Sequence, residues 1–142
     1  MHISFMMNGA YLLVMELPEH ATVRIRKLGR IRFEKGWYVY VGSAMNGLDQ
    51  RIQRHLRREK KIHWHIDYLL PFTKNISVYF KENNQKEECD IAHNFEKDFS
   101  SIPGFGCSDC NCPSHLFSGS SENIIPTARA LGMKPYLLHT NP

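Results

Sequence analysis

The sequence predicts a small mixed α/β domain in which helices flank a mostly antiparallel sheet. Two observations predict it. Apolar or aromatic runs of strand length end at glycines and prolines, and two segments carry a one-sided apolar stripe of helical period. Their order along the chain is strands, helix, strand, helix, which describes a small α/β layer structure. With 142 residues and no evident internal repeat, a single domain over 1–142 is expected, with a core at about 9–117 and an extension at 118–142.

The elements follow in order. Gly9 to Leu17 is an apolar run short enough for a buried strand. Ala21 to Leu28 and Arg30 to Glu34 alternate in part, with a turn at Leu28-Gly29, and read as a hairpin. The polar partners in that hairpin are Arg24, Arg26, Arg30 and Arg32, so its outer face is basic. Gly36 to Gly42 is the next strand, and Asn46-Gly47 breaks the chain. A helix from about Leu48 to Arg58 carries the stripe Leu48, Ile52, Leu56. His63 to Leu70 reads as either a strand or a helical turn, ended by Pro71. Asn75 to Phe80 is a strand. Lys86 to Lys97 is a helix with the stripe Ile91, Ala92, Phe95. Ser101 to Cys112 is a loop and Ser118 to Asn123 a polar hinge. The chain closes with a helix around Thr127 to Leu131 and an extended piece around Tyr136 to Leu138.

Composition is ordinary for a globular protein, at 42% apolar and 23% charged residues. The net charge of +4 is unevenly spread: residues 1–71 hold 12 Lys/Arg against 6 Asp/Glu, and residues 72–142 hold 6 against 8. The excess peaks at Arg51, Arg54, Arg57, Arg58, Lys60 and Lys61, opposed only by Glu59. A positive field focused in one place predicts an anionic partner, against the plainer alternative of a solvated helix face. No transmembrane run or signal peptide is visible, and four cysteines without an export signal argue for reduced thiols or metal ligands. A cytoplasmic protein without membrane contact is the expectation.

Arg51 and His55 lie four residues apart and share a helical face beside the strand that holds Tyr40. A fixed cation for a phosphate, with hydroxyl and imidazole groups for proton transfer, is what phosphodiester cleavage needs. Gly9-Ala10-Tyr11 and Tyr40-Val41-Gly42 resemble the paired motifs of the GIY-YIG nuclease superfamily, and Arg51 and His55 match its helical Arg and His. The phrases YVYVGSA, RIQRHL, HWHIDYLL and GFGCSDCNCPSHLF resemble a small branch that also occurs fused to endonuclease III. The likeness spans roughly residues 9–117. Two features depart from it: Ala10 stands where a branched residue is usual, and the basic hairpin lies between the motifs.

The resemblance implies a GIY-YIG-like fold and metal-dependent endonuclease activity on DNA, directed by structure more than by sequence. Tyr11 and Tyr40 would position or deprotonate the attacking water. Arg51 would hold the scissile phosphate, and His55 would assist proton transfer. The family's metal-binding glutamate maps to Glu88, as ligand to Mg²⁺ or Mn²⁺. The endonuclease III fusion implies association with a DNA-repair glycosylase. Arg54, Arg57, Arg58, Lys60, Lys61 and His65 would contact DNA, or RNA, through the phosphate backbone. The alternative is a nucleic-acid-binding module that keeps the fold without catalysis.

Two constellations stand apart. Cys107, Cys110, Cys112 and His115 are spaced so that thiolates and imidazole can gather around one structural Zn²⁺, with Cys89, Cys110, Cys112 and His115 as the ligand set. A tight loop with buried cysteines fits equally well. If extended, His63, His65 and Asp67 share a face, as in hydrolases built on H-x-H; if helical, Ile66, Leu69 and Leu70 form the core and the histidines separate.

Overall fold

The computed structural model describes residues 7–107 and 112–137. Its centre is β1 (Gly9–Leu17), in which every residue but Glu16 is buried. A strand apolar on both sides of its pleat needs cover on both faces and partners on both edges. β1 has them. It pairs antiparallel with β4 (Gly36–Ala44) on one edge and with β5 (Lys74–Glu82) on the other. Adding β6 (Ser100–Ser101), β7 (Leu116–Gly119) and β8 (Lys134–Pro135) gives the order β6-β7-β4-β1-β5-β8, antiparallel throughout.

The pleat divides the core into two layers. On one face Tyr11, Leu13, Met15, Tyr38 and Tyr40 pack against Leu48 and Ile52 of α1 (Leu48–Leu56) and Ile66 and Leu69 of α2 (His65–Leu69). The hairpin of β2 (Ala21–Ile25) and β3 (Gly29–Phe33) caps the same layer with Val23, Ile25 and Phe33. On the other face Ala10, Leu12, Val14, Val39 and Val41 meet Ile91, Ala92 and Phe95 of α3 (Glu88–Asp98) and Ile124 and Ala128 of α4 (Ser121–Ala130). Each fully buried leucine of β1 contributes roughly 1.5–3 kcal/mol. The mixed α/β class with an antiparallel sheet, flanking helices and a separate basic hairpin is therefore as the sequence predicts. Arg24, Arg26, Arg30 and Arg32 of that hairpin are exposed, and Arg24 stands directly opposite Arg30.

The structure settles one open segment and differs from the sequence expectation near the C-terminus. His65–Leu69 is helical because Asp67 accepts the backbone N–H groups of His63 and Trp64 and so satisfies the helix start. A 3₁₀ turn then runs through Pro71, which fits a first-turn position. Leu116–Gly119 forms an internal strand at the point where the loop was expected to give way to a hinge. The hinge itself is the start of α4: Ser120 caps it by accepting from the Glu122 N–H at 3.1 Å, so the helix starts well before Thr127 and runs through Pro126. The last extended pair is Lys134–Pro135.

The register of β1 on β4 sets Tyr11 opposite Gly42 and Ala10 opposite Ser43. The Tyr11 ring lies across Gly42, where any Cβ would fall on the ring carbons and the phenol oxygen. Tyr11 is 2% exposed and has nowhere to move. Gly42→Ala should therefore cost about 1–3 kcal/mol through overpacking. Urea unfolding monitored by tyrosine and tryptophan fluorescence checks it; unchanged stability would mean that the ring does not need this glycine.

Candidate active-site cleft

The end of the sheet where β1 begins and β4 finishes opens into a cleft of about 570 Å³. Tyr11, Tyr40, Ser43, Arg51, Trp64, Glu88, Cys89 and His115 are among its lining residues. Side chains reach it from both layers. Tyr11 and Tyr40 come from the sheet face under α1, and Arg51 from α1 itself. Glu88 comes from the first turn of α3 on the opposite layer.

Ser43 joins the layers. Its hydroxyl donates to Glu88 Oε1 at 2.6 Å, and its carbonyl accepts from an Arg51 terminal nitrogen at 3.1 Å. The guanidinium and the carboxylate are thus held on two sides of one residue. His55 sits one helical turn after Arg51 and behind the cleft wall, 2% exposed, with Nε2 2.7 Å from the Tyr11 hydroxyl. Its ring also packs beside Tyr40 and Trp64, with centroids at 6.2 and 5.6 Å. Its Nδ1 is buried without a hydrogen-bond partner among the described residues. Trp64 carries two cations against its ring: Arg51 at 4.6 Å and Arg54 at 4.4 Å from the centroid.

The basic run behaves unevenly. Arg54 donates to both carboxylate oxygens of buried Asp67, at 3.2 and 3.0 Å, and to the Lys61 carbonyl at 2.7 Å. Removing it would strand a buried charge. Lys60 donates to the His55 and Arg57 carbonyls and closes the end of α1. His65 accepts the Gly106 N–H at 2.8 Å on Nδ1. Arg57, Arg58 and Lys61 remain exposed. The helical turn separates His63, His65 and Asp67, which overturns the extended H-x-H alternative. Among the described residues the cluster of potential metal ligands is instead Cys89, Cys112 and His115. Cys110 lies outside the described residues.

Residues 10–133 match the family described as Domain of unknown function DUF123. The chain belongs to that family. The same comparisons found no match among curated proteins and none among solved structures. No helix among the described residues of this DUF123 domain is long and apolar enough to cross a membrane.

The electrostatics of the cleft follow from burial. Burial pushes the Tyr11 phenol far up, although the charge of the Arg51 guanidinium pulls the other way. Burial also raises Tyr40 well above the ordinary phenol range, helped by Tyr11 and Glu88. His55 is pushed down to about 3, first by burial and then by Arg54, Arg51 and Lys60, with only Asp67 opposing. Burial alone would raise the Asp67 carboxyl, but hydrogen bonds from Arg54, Trp64 and His63 overcome it and hold it low. Near neutral pH the DUF123 cleft therefore presents two neutral phenols beside a fixed cation, with the neutral imidazole of His55 behind Tyr11.

Ser43 is the cleft residue that sequence reading passed over. Its signal was a serine directly after the Tyr-Val-Gly motif, at a strand end where polar groups point to the rim. In sequence Trp64 reads as a base-stacking residue or, more commonly, a core tryptophan; in the structure it carries Arg51 and Arg54 against its ring.

The depressed His55 value has a stability consequence. The unfolded chain takes up a proton near pH 6.5, while the folded chain resists it until about 3. Stability is therefore present above the unfolded value and is lost as pH falls through that window, by up to about 1.4 kcal/mol per pH unit for one proton. Burial lowers His65 and His115 as well, so they add slope of the same sign. Urea midpoints measured from about pH 7 down to about pH 4 should fall less steeply for His55→Gln than for the wild type. Equal slopes would mean that His55 is not held neutral.

Proposed function

We propose that this DUF123 domain is a GIY-YIG-type nuclease that hydrolyses phosphodiesters in DNA with the help of one divalent cation, Mg²⁺ or Mn²⁺. The observation that carries this is the meeting of Tyr11, Tyr40, Arg51 and Glu88 on one cleft, with His55 hydrogen-bonded behind Tyr11.

Arg51 is preset for a phosphate. Ser43 fixes its guanidinium through one nitrogen and Trp64 supports its plane, so little reorganisation is needed when charge develops on the phosphate oxygens. Tyr11 lies at the cleft and also against His55. The Tyr11 hydroxyl lies 2.7 Å from His55 Nε2, so the phenol proton is directed to that nitrogen. A water attacking phosphorus can then pass its proton to the Tyr11 oxygen as the Tyr11 proton shifts to His55. The phosphorus–oxygen bond to the leaving sugar breaks, and that oxygen takes a proton from solvent. The low proton affinity of His55 makes this occupancy brief: His55 returns its proton to Tyr11 as Tyr11 releases one to the water of the cleft, and both are neutral again. Tyr40, neutral at working pH, donates its hydroxyl to a phosphate oxygen.

Glu88 fits a divalent cation: it is a single carboxylate in the cleft, 24% exposed, fixed through one oxygen by Ser43. A cation there would neutralise phosphate charge. Arg57, Arg58 and Lys61, together with the arginine face of the β2–β3 hairpin, supply an exposed basic surface for the backbone of the nucleic acid. Arg54, Lys60 and His65 contribute to the shape of that surface through their internal bonds. The depth of Tyr11 and His55, each 2% exposed, favours one competing reading, a binding module without turnover.

Incubation with branched, nicked and single-stranded DNA, with and without Mg²⁺ or Mn²⁺, decides between the two. Cation-dependent cleavage is expected. Binding without cleavage in every arm would select the module. Two variants then separate the roles. Arg58→Ala should reduce the slope of log K against log salt by about 0.9 for duplex DNA. Arg51→Ala should lower single-turnover cleavage by about 10²–10³ and change affinity much less. A binding constant indifferent to salt would contradict nucleic-acid binding itself.

A further inference from the structure

We propose that Cys89, Cys112 and His115 bind one zinc ion, and that zinc-bound His115 uses its other ring nitrogen to hold Glu88. The zinc site stands without the nuclease reading; the role given to Glu88 rests on it.

The three donors come from two distant parts of the chain. Cys89 is in the first turn of α3, while Cys112 and His115 precede β7. Their ligand atoms nevertheless lie within 4.8 Å of one another. Cys89 Sγ and His115 Nε2 are 3.9 Å apart. A tetrahedral zinc with Zn–S near 2.3 Å and Zn–N near 2.0 Å needs a separation of about 3.5 Å. For that pair a movement of a few tenths of an ångström reaches coordination distance, and the 4.8 Å limit on the whole set leaves at most about an ångström for the others. Two thiolates and an imidazole are a soft set that selects zinc and rejects Mg²⁺, so the two cations would not compete for one site. Cys112 and His115 are buried, at 9% and 2% exposure, which also suits a structural centre.

His115 is placed by the backbone. Its N–H donates to the Phe105 carbonyl at 2.8 Å, and its carbonyl accepts from the Val41 N–H at 2.9 Å. Gly106, in a left-handed conformation with φ 76°, lets the ring pack closely, since a Cβ there would sit 3.1 Å from the His115 Cβ and 3.2 Å from a Tyr40 ring carbon. With Nε2 facing Cys89, the Nδ1 atom faces Glu88 Oε2 at 3.6 Å. This is the carboxylate–histidine–zinc arrangement, in which metal on one nitrogen leaves a proton on the other for the carboxylate. Glu88 is then gripped from two sides, by Ser43 on Oε1 and His115 on Oε2. Zinc would tie the start of α3 to the strand beneath the cleft and so align the catalytic carboxylate.

The test needs no nucleic acid, so its failure is distinct from a failure to cleave. Elemental analysis of the reduced, purified protein should give one zinc per chain. Stripping the metal should lower Tm, and adding zinc should restore it. Cobalt reloaded into the wild-type chain should show thiolate-to-metal charge transfer and tetrahedral ligand-field bands. Cys112→Ser should lose the metal; if that variant does not fold, the cobalt spectrum of the wild type decides. Glu88→Ala should keep full zinc occupancy but bind it about 10–100-fold more weakly in competition with a chelator. A reduced wild-type chain that takes up neither zinc nor cobalt, or a disulfide between Cys89 and Cys112, would overturn the site. Unchanged zinc affinity in Glu88→Ala would overturn the coupling to Glu88.

Discussion

The cleft depends on one packing constraint, the Tyr11 ring lying across Gly42. Antiparallel pairing places the two residues opposite each other, and the missing Cβ lets the ring fold flat over the neighbouring strand. From that position the hydroxyl reaches His55 on α1. The same register sets Ala10 against Ser43, and Ser43 then takes Arg51 on its carbonyl and Glu88 on its hydroxyl. A shift of one residue would send Tyr11 to the opposite face, away from α1. Such a slip would also exchange the large Tyr11, Leu13 and Met15 of one buried layer with the smaller Ala10, Leu12 and Val14 of the other.

Placing the site at the sheet end lets both layers contribute. Phenols and guanidinium arrive from one side, the Glu88 carboxylate and the Cys89 thiol from the other. The two sets are unlike in chemistry. The first consists of groups that burial keeps neutral beside a fixed cation. The second contains an anion and soft donors. Asp67 supports the first set: it starts α2 and fixes Arg54, which with Arg51 lies against the Trp64 ring. The basic run was thus less uniform than its sequence, with Arg54 and Lys60 serving the fold and Arg57, Arg58 and Lys61 facing solvent.

Much of this was legible in the sequence because it is carried by local pattern. Gly9 to Leu17 reads as a buried strand, Leu48, Ile52 and Leu56 as a helical stripe, and Arg51 with His55 as one face. The basic hairpin was visible from Val23, Ile25 and the arginines between them. Long-range bonds decided the rest. His63 to Leu70 could not be assigned by period alone, since its helix starts where the Asp67 carboxylate meets two backbone N–H groups. Leu116–Gly119 is too short to stand out, and it is a strand because β4 offers it a free edge. Ser43 is an unremarkable residue in sequence; its importance comes from what α1 and α3 bring to it. For the same reason Glu88 could be proposed by family likeness, whereas its contact with His115 could not.

The central claim is that the Tyr11–His55 pair moves the proton of the attacking water. Single-turnover cleavage by Tyr11→Phe at saturating DNA tests it most directly, with DNA affinity and Tm measured on the same protein. The ring and its packing on Gly42 are kept, and only the hydroxyl is lost. The account predicts a fall in rate of about 10²–10⁴ with affinity little changed. Cleavage at the wild-type rate by a folded Tyr11→Phe protein would contradict it.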